Sequence, residues 1–463
     1  MKRNGNFTKL LKFSKVLIIL IPLAGHAQTR NEAGRPFITN YTPKQYGAHP
    51  QNYAIVQDQY GVMYFANGNG VLEHDGVTWR LISLPTNSYT QSLAIASGPD
   101  EIIYTGGQGE LGYLAPDSIG QMRFVSLLDH VEPEDRLYVN VWNTYVTSHG
   151  VYFQGFNHLF RWSNDQASND RGKLQVWKSK LRYLSSFVIR DRLYLHQSKV
   201  GLLQMMGDSL QLVPGGERFA EDRIDALLPY DERRILIATR SQGLYLFDGS
   251  VYQPFKTAAD AFLLENQLFR GALSPDSSFA LATMRGGVVI IDKQGRVLQQ
   301  LDKASGLLGN FVRFINFDRH GAMWLALDSG IARAETPSPL SFYDEQSGLD
   351  SYVVSILRHQ GTLYVATGQG VYYLDAQKRR FRHVSGLVAR SWDLLSWDKT
   401  LLVATDDGIY QIEDDKASVV KKSVAESFFA YSLHRSRRDP NRVYVGLIDG
   451  LAILTNEQRR LDR

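Results

Sequence analysis

Polar and aromatic side chains of the kind that contact sugars recur along this chain at intervals of about 40 residues. Each stands at or just before the start of a short apolar run: Tyr89, Gln91, Tyr138, Asn140, Tyr183, Arg223, Arg270, Arg313, Tyr352, Arg390 and Trp392. Aromatic faces stack on the C–H surfaces of a sugar ring, while Arg, Asn and Gln form hydrogen bonds with hydroxyls or carboxylates. Their spacing predicts that a repeated structure brings these residues together around one ligand.

Other chemistries have little support in the sequence. The glycines at Gly107–Gly112 match a dinucleotide fingerprint, but no helix follows them to present its N-terminus to a phosphate. His149, His158 and His196 lack the spacing of metal ligands, and the acids at Asp406–Asp407 lack the alternation of a calcium loop. We therefore predict no catalytic residue, no metal site and no cofactor. A catalytic pair of carboxylates from distant repeats stays open as an alternative.

The elements that would position a ligand site are ten copies of one short pattern. Clear copies are Gly321–Ile331, Gly361–Val371 and Thr400–Ile409, each with an apolar strand, a few small or polar residues, and Gly before a second apolar strand. The centres of the first of these strands lie near Tyr64, Tyr104, Tyr152, Tyr194, Leu236, Ala280, Trp324, Tyr364, Leu402 and Tyr444. A period close to 40 residues indicates a repeat architecture.

Each unit contains about four short runs with the alternation of β-strands. In the first unit they are Tyr53–Gln57, Val62–Ala66, Gly70–His74 and Thr78–Ser83. The turn Asp58–Gly61 joins the first two runs, because Asp accepts backbone hydrogen bonds there and Gly adopts the positive φ of a tight turn. Four antiparallel strands in about 40 residues are typical of one blade of a β-propeller.

Ten units exceed the four to eight blades that closed propellers usually contain. Seven units precede the proline-rich segment Glu335–Pro339, and three follow it. We therefore predict an all-β chain with a seven-bladed propeller at residues 37–336 and about three blades of a second, incomplete propeller at 340–463. Phe37–Tyr41 is expected to supply the strand that closes the first ring. A single ring with miscounted units is the alternative, because Ser163–Lys173 interrupts the third unit.

Residues 1–27 have the composition of a secretory signal peptide. Five basic residues and no acid lead into the apolar run Val16–Leu23, and Gly25 and Ala27 are the small residues expected before a cleavage site. This run is shorter than the roughly 20 residues that span a membrane, which favours cleavage over anchoring. No later stretch has the sequence of a membrane helix. We expect a periplasmic protein, with secretion as the alternative.

Charge and cysteine content exclude further classes. The formal net charge is +4, and subtracting the five basic residues of the predicted signal peptide leaves −1. The remaining chain therefore has no bulk electrostatic basis for binding nucleic acid. The chain contains no Cys, so it has no disulfide, no thiol nucleophile and no Cys-based zinc site.

The units resemble the two-component regulator propeller repeat, in which a strand is followed by Asp-x-x-Gly, Leu-Trp-(Ile/Leu)-(Gly/Ala)-Thr, two or three residues, Gly-Leu and an aromatic. Asp318–Ile331 is the closest copy, with Trp324 at the aromatic position. Gly107–Leu114 and Ser436–Gly446 also resemble segments of Bacteroidetes sensor proteins of this family. The resemblance covers most of the chain after residue 50.

This resemblance implies the periplasmic sensor of a larger receptor. In that family two propellers are usually followed by a three-Tyr immunoglobulin-like domain, a membrane helix and a cytoplasmic kinase, helix-turn-helix regulator or cyclase. This chain stops at Arg463, inside the predicted second propeller, and contains no kinase motif or DNA-binding segment. We expect either the input part of a longer receptor or a free-standing periplasmic binding protein.

The favoured function is therefore a non-enzymatic, ligand-sensing propeller. Its expected ligand is a small molecule or oligosaccharide, with a glycan or its breakdown product favoured, and its expected partner is a second propeller in a dimer or a missing C-terminal receptor half. A secreted polysaccharide lyase or glycosidase-like enzyme is one alternative, and it requires two or more buried acids with perturbed pKa in the channel mouth. A ligand-free interaction scaffold is the other, and large side chains would plug its channel.

Overall fold

The computed structural model describes residues 34–85, 88–96, 98, 101–163, 172–376, 378, 380–413, 416–422, 429–455 and 460–462. The predicted signal peptide and most of the predicted insertion at Ser163–Lys173 lie outside these residues. Within the described ranges, no helix has both the length and the apolar character needed to cross a membrane.

Four-stranded antiparallel sheets form almost all of the described chain, and we number them 1 to 10 in chain order. The strands of sheets 1 to 3 are Asn52–Gln57, Met63–Asn67, Gly70–His74 and Trp79–Ile82; Thr90–Ala96, Ile102–Gly107, Leu111–Pro116 and Met122–Ser126; and Asn143–Thr147, Gly150–Gln154, His158–Ser163 and Lys173–Lys178. The strands of sheets 4 and 5 are Tyr183–Ile189, Arg192–Gln197, Gly201–Met206 and Ser209–Leu212; and Ile224–Pro229, Ile235–Thr239, Leu244–Phe247 and Tyr252–Pro254.

The later sheets follow the same order. The strands of sheets 6 and 7 are Leu268–Leu273, Phe279–Thr283, Val288–Ile291 and Val297–Leu301; and Val312–Phe317, Met323–Leu327, Ile331–Ala334 and Ile38–Tyr41. The strands of sheets 8 to 10 are Val353–His359, Thr362–Thr367, Gly370–Asp375 and Arg380–His383; Ser391–Trp397, Thr400–Thr405, Gly408–Glu413 and Lys416–Lys422; and Ala430–Arg435, Arg442–Leu447, Gly450–Thr455 and Arg460–Asp462. The described helices are short: Pro43–Tyr46, Pro133–Arg136 and Asp260–Asn266, with 3-10 turns at Leu128–His130, Gly216–Phe219 and Glu345–Ser347.

The predicted repeat is confirmed by these strands. Each of the ten predicted strand centres lies in the second strand of its sheet. In sheet 1 the four strands begin and end within one residue of the predicted runs. The all-β prediction with four strands per repeat is therefore correct, because apolar alternation and turn residues are signals that a single unit carries by itself.

Sheet 7 takes its fourth strand from the beginning of the described chain. Ile38–Tyr41 pairs antiparallel with Ile331–Ala334, with Ile38 opposite Ala334 and Tyr41 opposite Ile331. The prediction that Phe37–Tyr41 supplies such a strand is confirmed. Main-chain hydrogen bonds therefore join the beginning of the described chain to sheet 7, the last of the first seven sheets.

Apolar clusters lie between neighbouring sheets and form the core. Seven clusters separate sheets 1 and 2, 2 and 3, and so on to 6 and 7, and the last lies between sheets 7 and 1. The first strand along the chain in sheets 1 to 6, and Val312–Phe317 in sheet 7, is the innermost strand of its sheet. Val312–Phe317 contacts Asn52–Gln57, the innermost strand of sheet 1, so contacts run around a closed circuit. Sheets 8, 9 and 10 contact each other in sequence. The division into domains at 37–336 and 340–463 stays a prediction.

An aspartate holds the first turn of sheet 7 in the way that the sequence predicts. Asp318 Oδ1 accepts the backbone N–H groups of His320 and Ala322, both at 2.9 Å, and Gly321 has φ 83°. Asp318 Oδ2 also accepts the indole N–H of Trp324 at 3.0 Å. Asp58 repeats the arrangement in sheet 1. The turn and the aromatic residue of the repeat are therefore one hydrogen-bonded unit.

Asp318→Ala should destabilise the protein by about 2–4 kcal/mol, because it leaves two backbone N–H groups and the buried Trp324 indole N–H without their acceptor. Asp117→Ala is the matched control, since Asp117 accepts the N–H groups of Ile119 and Gln121 in the same kind of turn but pairs with Arg123 instead of an indole. The midpoint temperature of the first thermal unfolding transition is measured for the wild type and for both variants. Equal losses in the two variants would contradict a special role for the indole hydrogen bond.

Candidate functional site

A β-bulge stands at the same position in six of the seven innermost strands of sheets 1 to 7. The ladder register shifts at the second residue of each of these strands, so that this residue has no partner on the neighbouring strand. The six bulge residues are Tyr53, Gln91, Leu184, Asp225, Phe269 and Arg313. A bulge bends its strand and redirects a side chain. All six residues line one cavity.

This cavity, which we call the mouth cavity, has a volume of about 480 Å³ and receives residues from all seven sheets of the closed circuit. Its lining consists of Tyr53, Gln91, Trp142, Asn143, Gln154, Phe156, Arg182, Tyr183, Leu184, Ser185, Arg223, Asp225, Phe269, Arg270, Met284, Phe311 and Arg313. The volume lies within the range of small-molecule sites, and the lining combines aromatic faces with a few polar groups, as such sites do.

A second cavity of about 330 Å³ continues along the innermost strands. We call it the inner cavity. Gln91, Trp142, Asn143 and Arg270 line both cavities and form the neck between them. Arg270 donates a hydrogen bond from one terminal nitrogen to Asn143 Oδ1 at 3.2 Å and lies over the Phe314 ring at 4.9 Å. A polar contact at the neck therefore joins sheets 3 and 6.

Five of the predicted binding residues line the mouth cavity: Gln91, Tyr183, Arg223, Arg270 and Arg313. They stand at or next to the start of the innermost strands of sheets 2, 4, 5, 6 and 7, which is the placement that the sequence spacing predicts. Their participation in ligand binding stays a prediction.

Three other predicted residues of the first seven sheets lie outside the lining of this cavity. The Tyr89 ring packs edge-on against His49 at 5.3 Å, and the Tyr138 ring stacks on His158 at 4.6 Å. Asn140 forms a bridge with Gln108 in the main chain. The sequence argument placed these residues by their distance from the strand alone, whereas neighbouring loops decide where their side chains lie.

The last three predicted residues belong to sheets 8 and 9. Tyr352 packs against Gly368, while Trp392 donates its indole N–H to Asp406 Oδ1 at 2.5 Å and Arg390 lies over the Trp392 ring at 5.6 Å. Trp392 is itself a bulge residue of its strand. These residues therefore occupy positions equivalent to those of the mouth cavity, but they lie in the second set of sheets.

Aromatic side chains form one wall of the mouth cavity. Phe269 and Phe311 meet edge to face with their ring centroids 5.1 Å apart. The Arg313 guanidinium lies over Phe311 at 4.5 Å and over Tyr53 at 5.2 Å, which fixes the wall by cation–π contacts. Trp142 is 44% exposed although it lines the cavity, so its ring is accessible to a ligand.

Asp225 is the only carboxylate among the described residues of this lining. Arg240 binds it through two hydrogen bonds of 2.9 Å, and Arg223 Nε lies 2.9 Å from Asp225 Oδ1. Burial raises the pKa of Asp225 to about 6 from its ordinary value of 3.8, although both guanidiniums favour the ionised form. Burial also lowers the pKa of Arg223, while Asp225 acts in the opposite direction.

Several lining residues were absent from the sequence prediction. Tyr53 and Phe269 are bulge residues, and Trp142 and Asn143 stand at the start of the one innermost strand in sheets 1 to 7 that lacks a bulge. Their position relative to the strand start was an available signal, because Gln91 and Arg313 share it. Arg182 and Phe156 come from loops whose paths depend on neighbouring sheets. Within the described residues, no group of three His, Asp or Glu side chains could hold a metal ion.

The glycine pattern Gly107–Gly112 has a structural explanation. It spans the turn between Ile102–Gly107 and Leu111–Pro116, and a β-strand rather than a helix follows it. A Cβ atom at Gly107 would lie 1.9 Å from the Tyr89 carbonyl oxygen. Close backbone packing therefore requires this glycine.

Solved structures with this architecture include extracellular domains of two-component systems. The extracellular domain of the putative hybrid two component system BT3049 from Bacteroides thetaiotaomicron aligns with a TM-score of 0.65 and 18% identity, covering 92% of this chain and 60% of that domain. The corresponding domain of BT4673 from the same organism aligns with a TM-score of 0.51 and 14% identity, covering 93% and 67%. At these identities the similarity concerns the fold.

These neighbours agree with the family resemblance of the repeats and with the β-propeller prediction. This chain spans about three fifths of the length of the BT3049 domain. No protein-family model matches the sequence. No curated protein matches it either.

Asp225→Asn should remove a loss of stability that the wild-type protein undergoes as the pH rises. The folded protein retains a proton on Asp225 up to about pH 6, whereas the unfolded chain releases it near 3.8. Wild-type protein should therefore lose stability relative to the variant as pH rises through this interval, by at most about 3 kcal/mol. Thermal unfolding of both proteins between about pH 4 and pH 7 measures this difference.

Asp231→Asn provides the control for this measurement. Backbone hydrogen bonds from Arg234 and Arg233 lower the pKa of Asp231 to about 2, so the stability difference for this variant should stay constant above about pH 4. A constant difference for Asp225→Asn, or one that favours the wild type increasingly at higher pH, would show that the buried pair remains ionised throughout.

Proposed function

We propose that this chain is a ligand-sensing propeller of a periplasmic receptor and that its ligand, a glycan or a breakdown product of one, binds in the mouth cavity. One observation carries the proposal: bulges in six sheets place six residues in the lining of the same cavity. Bulges are over-represented beside functional sites, where they redirect side chains.

The chemistry of the lining favours a saccharide among small ligands. Phe269, Phe311 and the exposed Trp142 offer apolar faces to sugar C–H groups. Gln91 and Asn143 at the neck offer amide groups that pair with hydroxyls. Aromatic faces beside fixed hydrogen-bonding groups suit a ring that has one apolar and one polar aspect.

A sensor accounts for the acid content of the cavity better than a polysaccharide lyase or glycosidase does. Glycosidases of the usual kind need two carboxyl groups on either side of the scissile bond. Asp225 is the single acid of the described lining, and the Arg240 and Arg223 guanidiniums engage both of its oxygens. Its side chain has no exposed surface, so it is not placed to exchange a proton with a ligand.

A ligand-free scaffold has less support than a sensor, because the mouth cavity is open rather than filled by large side chains. The location in the periplasm rests on the predicted signal peptide and on structural neighbours that are extracellular domains. Those neighbours come from two-component systems, which supports a role in signalling. A C-terminal receptor half or a second propeller in a dimer is the proposed partner.

Tryptophan fluorescence and calorimetry with a panel of neutral and acidic oligosaccharides test this function directly. Phe269→Ala should weaken the binding of the responding saccharide at least tenfold, because it removes an aromatic face at the centre of the cavity. Tyr138→Ala is the control, since Tyr138 stacks on His158 outside the cavity lining and the variant should bind normally. Absence of any binding, or equal losses in the two variants, would contradict a saccharide site here.

A further inference from the structure

The mouth cavity carries an excess of positive charge. Its lining contains the guanidiniums of Arg182, Arg223, Arg270 and Arg313 but one carboxylate, Asp225. Asp328 forms an ion pair with Arg313 outside the lining, with Arg313 Nε 3.0 Å from Asp328 Oδ1. The charge of Arg313 is therefore balanced by Asp328. The excess of positive charge comes from the three other arginines of the lining.

Asp225 cannot neutralise all the charge around it. Arg240 engages both of its oxygens, and Arg223 shares Oδ1 with Arg240. The Arg240 and Arg270 guanidiniums both lie close enough to Arg223 to disfavour its charged form electrostatically. One carboxylate thus stands among three guanidiniums in a buried place, where charge is weakly screened.

Arg270 is the cation of the neck, and it has no compensating acid in the part of the chain that the structure describes. Among the described residues, no carboxylate lies within ion-pair distance of it, and its charged group contacts the Asn143 amide oxygen and the Phe314 ring instead. Its Nε–H is buried and has no hydrogen-bond partner in the described chain, and neither does the Gln91 amide oxygen beside it at the neck. Buried polar groups of folded proteins nearly always have partners.

We propose that the ligand of the mouth cavity is an acidic saccharide whose carboxylate or sulfate group binds to Arg270 at the neck and to the nearby Arg223. This inference rests on the proposed function and names the class of ligand. An oxyanion at this position accepts hydrogen bonds from the guanidinium groups that line the cavity and balances the guanidinium excess. Phe269 directly precedes Arg270, so that the same strand offers an aromatic face for the sugar ring beside the charged group.

Matched pairs of disaccharides test the proposal by isothermal titration calorimetry. One pair is digalacturonate and α-1,4-galactobiose, which differ in their carboxylates, and the other is a monosulfated N-acetyllactosamine and its unsulfated parent. In at least one pair the acidic member should bind at least tenfold more tightly than the neutral one. Arg270→Gln should abolish this preference, because it should lower the affinity for the acidic member at least tenfold more than the affinity for the neutral member.

Arg296→Gln is the matched control for charge. Its side chain is 76% exposed and pairs with Asp292, outside the cavity lining, so the variant should keep the preference of the wild type. Tighter binding of the neutral members, with sensitivity to Phe269→Ala, would overturn the anion proposal and leave the saccharide function intact. An equal effect of the two Arg→Gln variants would also overturn it, because the preference would then reflect net charge alone.

Inorganic sulfate, titrated alone, separates this inference from the proposed function. Sulfate binding to the wild type and its loss in Arg270→Gln support the anion site, even where every saccharide of the panel fails and the proposed function falls. When neither sulfate nor any acidic saccharide binds to the wild-type protein, the anion proposal is wrong.

Discussion

Burial of both faces of every sheet is the constraint on which the rest of this structure depends. A four-stranded sheet of this composition has apolar residues on its two faces, and one neighbour can cover only one of them. Seven sheets solve the problem by closing on themselves, with a cluster at each contact and the last between sheets 7 and 1. The strand Ile38–Tyr41 completes sheet 7, and the Tyr41 ring stacks on Trp324 with centroids 5.8 Å apart.

Closure also creates the site. Once seven innermost strands surround one axis, a bulge at the same place in six of them brings six residues to the lining of one cavity. The repeat thus supplies one backbone irregularity many times, and only the side chain at the bulge differs from sheet to sheet. Sheets 8, 9 and 10 carry the same bulge with Val354, Trp392 and Tyr431. The position is a property of the repeat, whereas the chemistry is a property of each copy.

The electrostatics of the cavity follow from one buried carboxylate. Asp225 draws Arg223 and Arg240 together and gives two guanidiniums a fixed orientation at the cavity wall. Removing one member of such a buried group leaves the others uncompensated. Arg270 lies beyond the reach of this acid and keeps its charge directed toward the neck. The same arrangement that makes an enzymatic role for Asp225 unfavourable therefore prepares the cavity for an anion.

Local signals were sufficient to predict the strands, the turns and the repeat. The carboxylate of Asp318 and the positive φ of Gly321 act within a single hairpin, and apolar alternation needs only a few consecutive residues. The strand that completes sheet 7 was also predictable, because a repeat that lacks its last strand needs one from elsewhere. The boundary between two sets of sheets was inferred from proline density and stays a prediction.

The membership of the cavity depended on tertiary structure. Gln91 and Tyr138 are equivalent candidates by sequence, yet Gln91 lies within the innermost strand of sheet 2 and lines the cavity, whereas Tyr138 precedes the innermost strand of sheet 3 and stacks on His158. Tyr53 and Phe269 reach the cavity because their strands bulge, and Arg182 and Phe156 because loops of adjacent sheets meet there. A short stretch of sequence determines its own hydrogen bonds and its apolar face. Which side chains share a cavity depends on packing between sheets about 40 residues apart, and the sum of those contacts is absent from any one repeat.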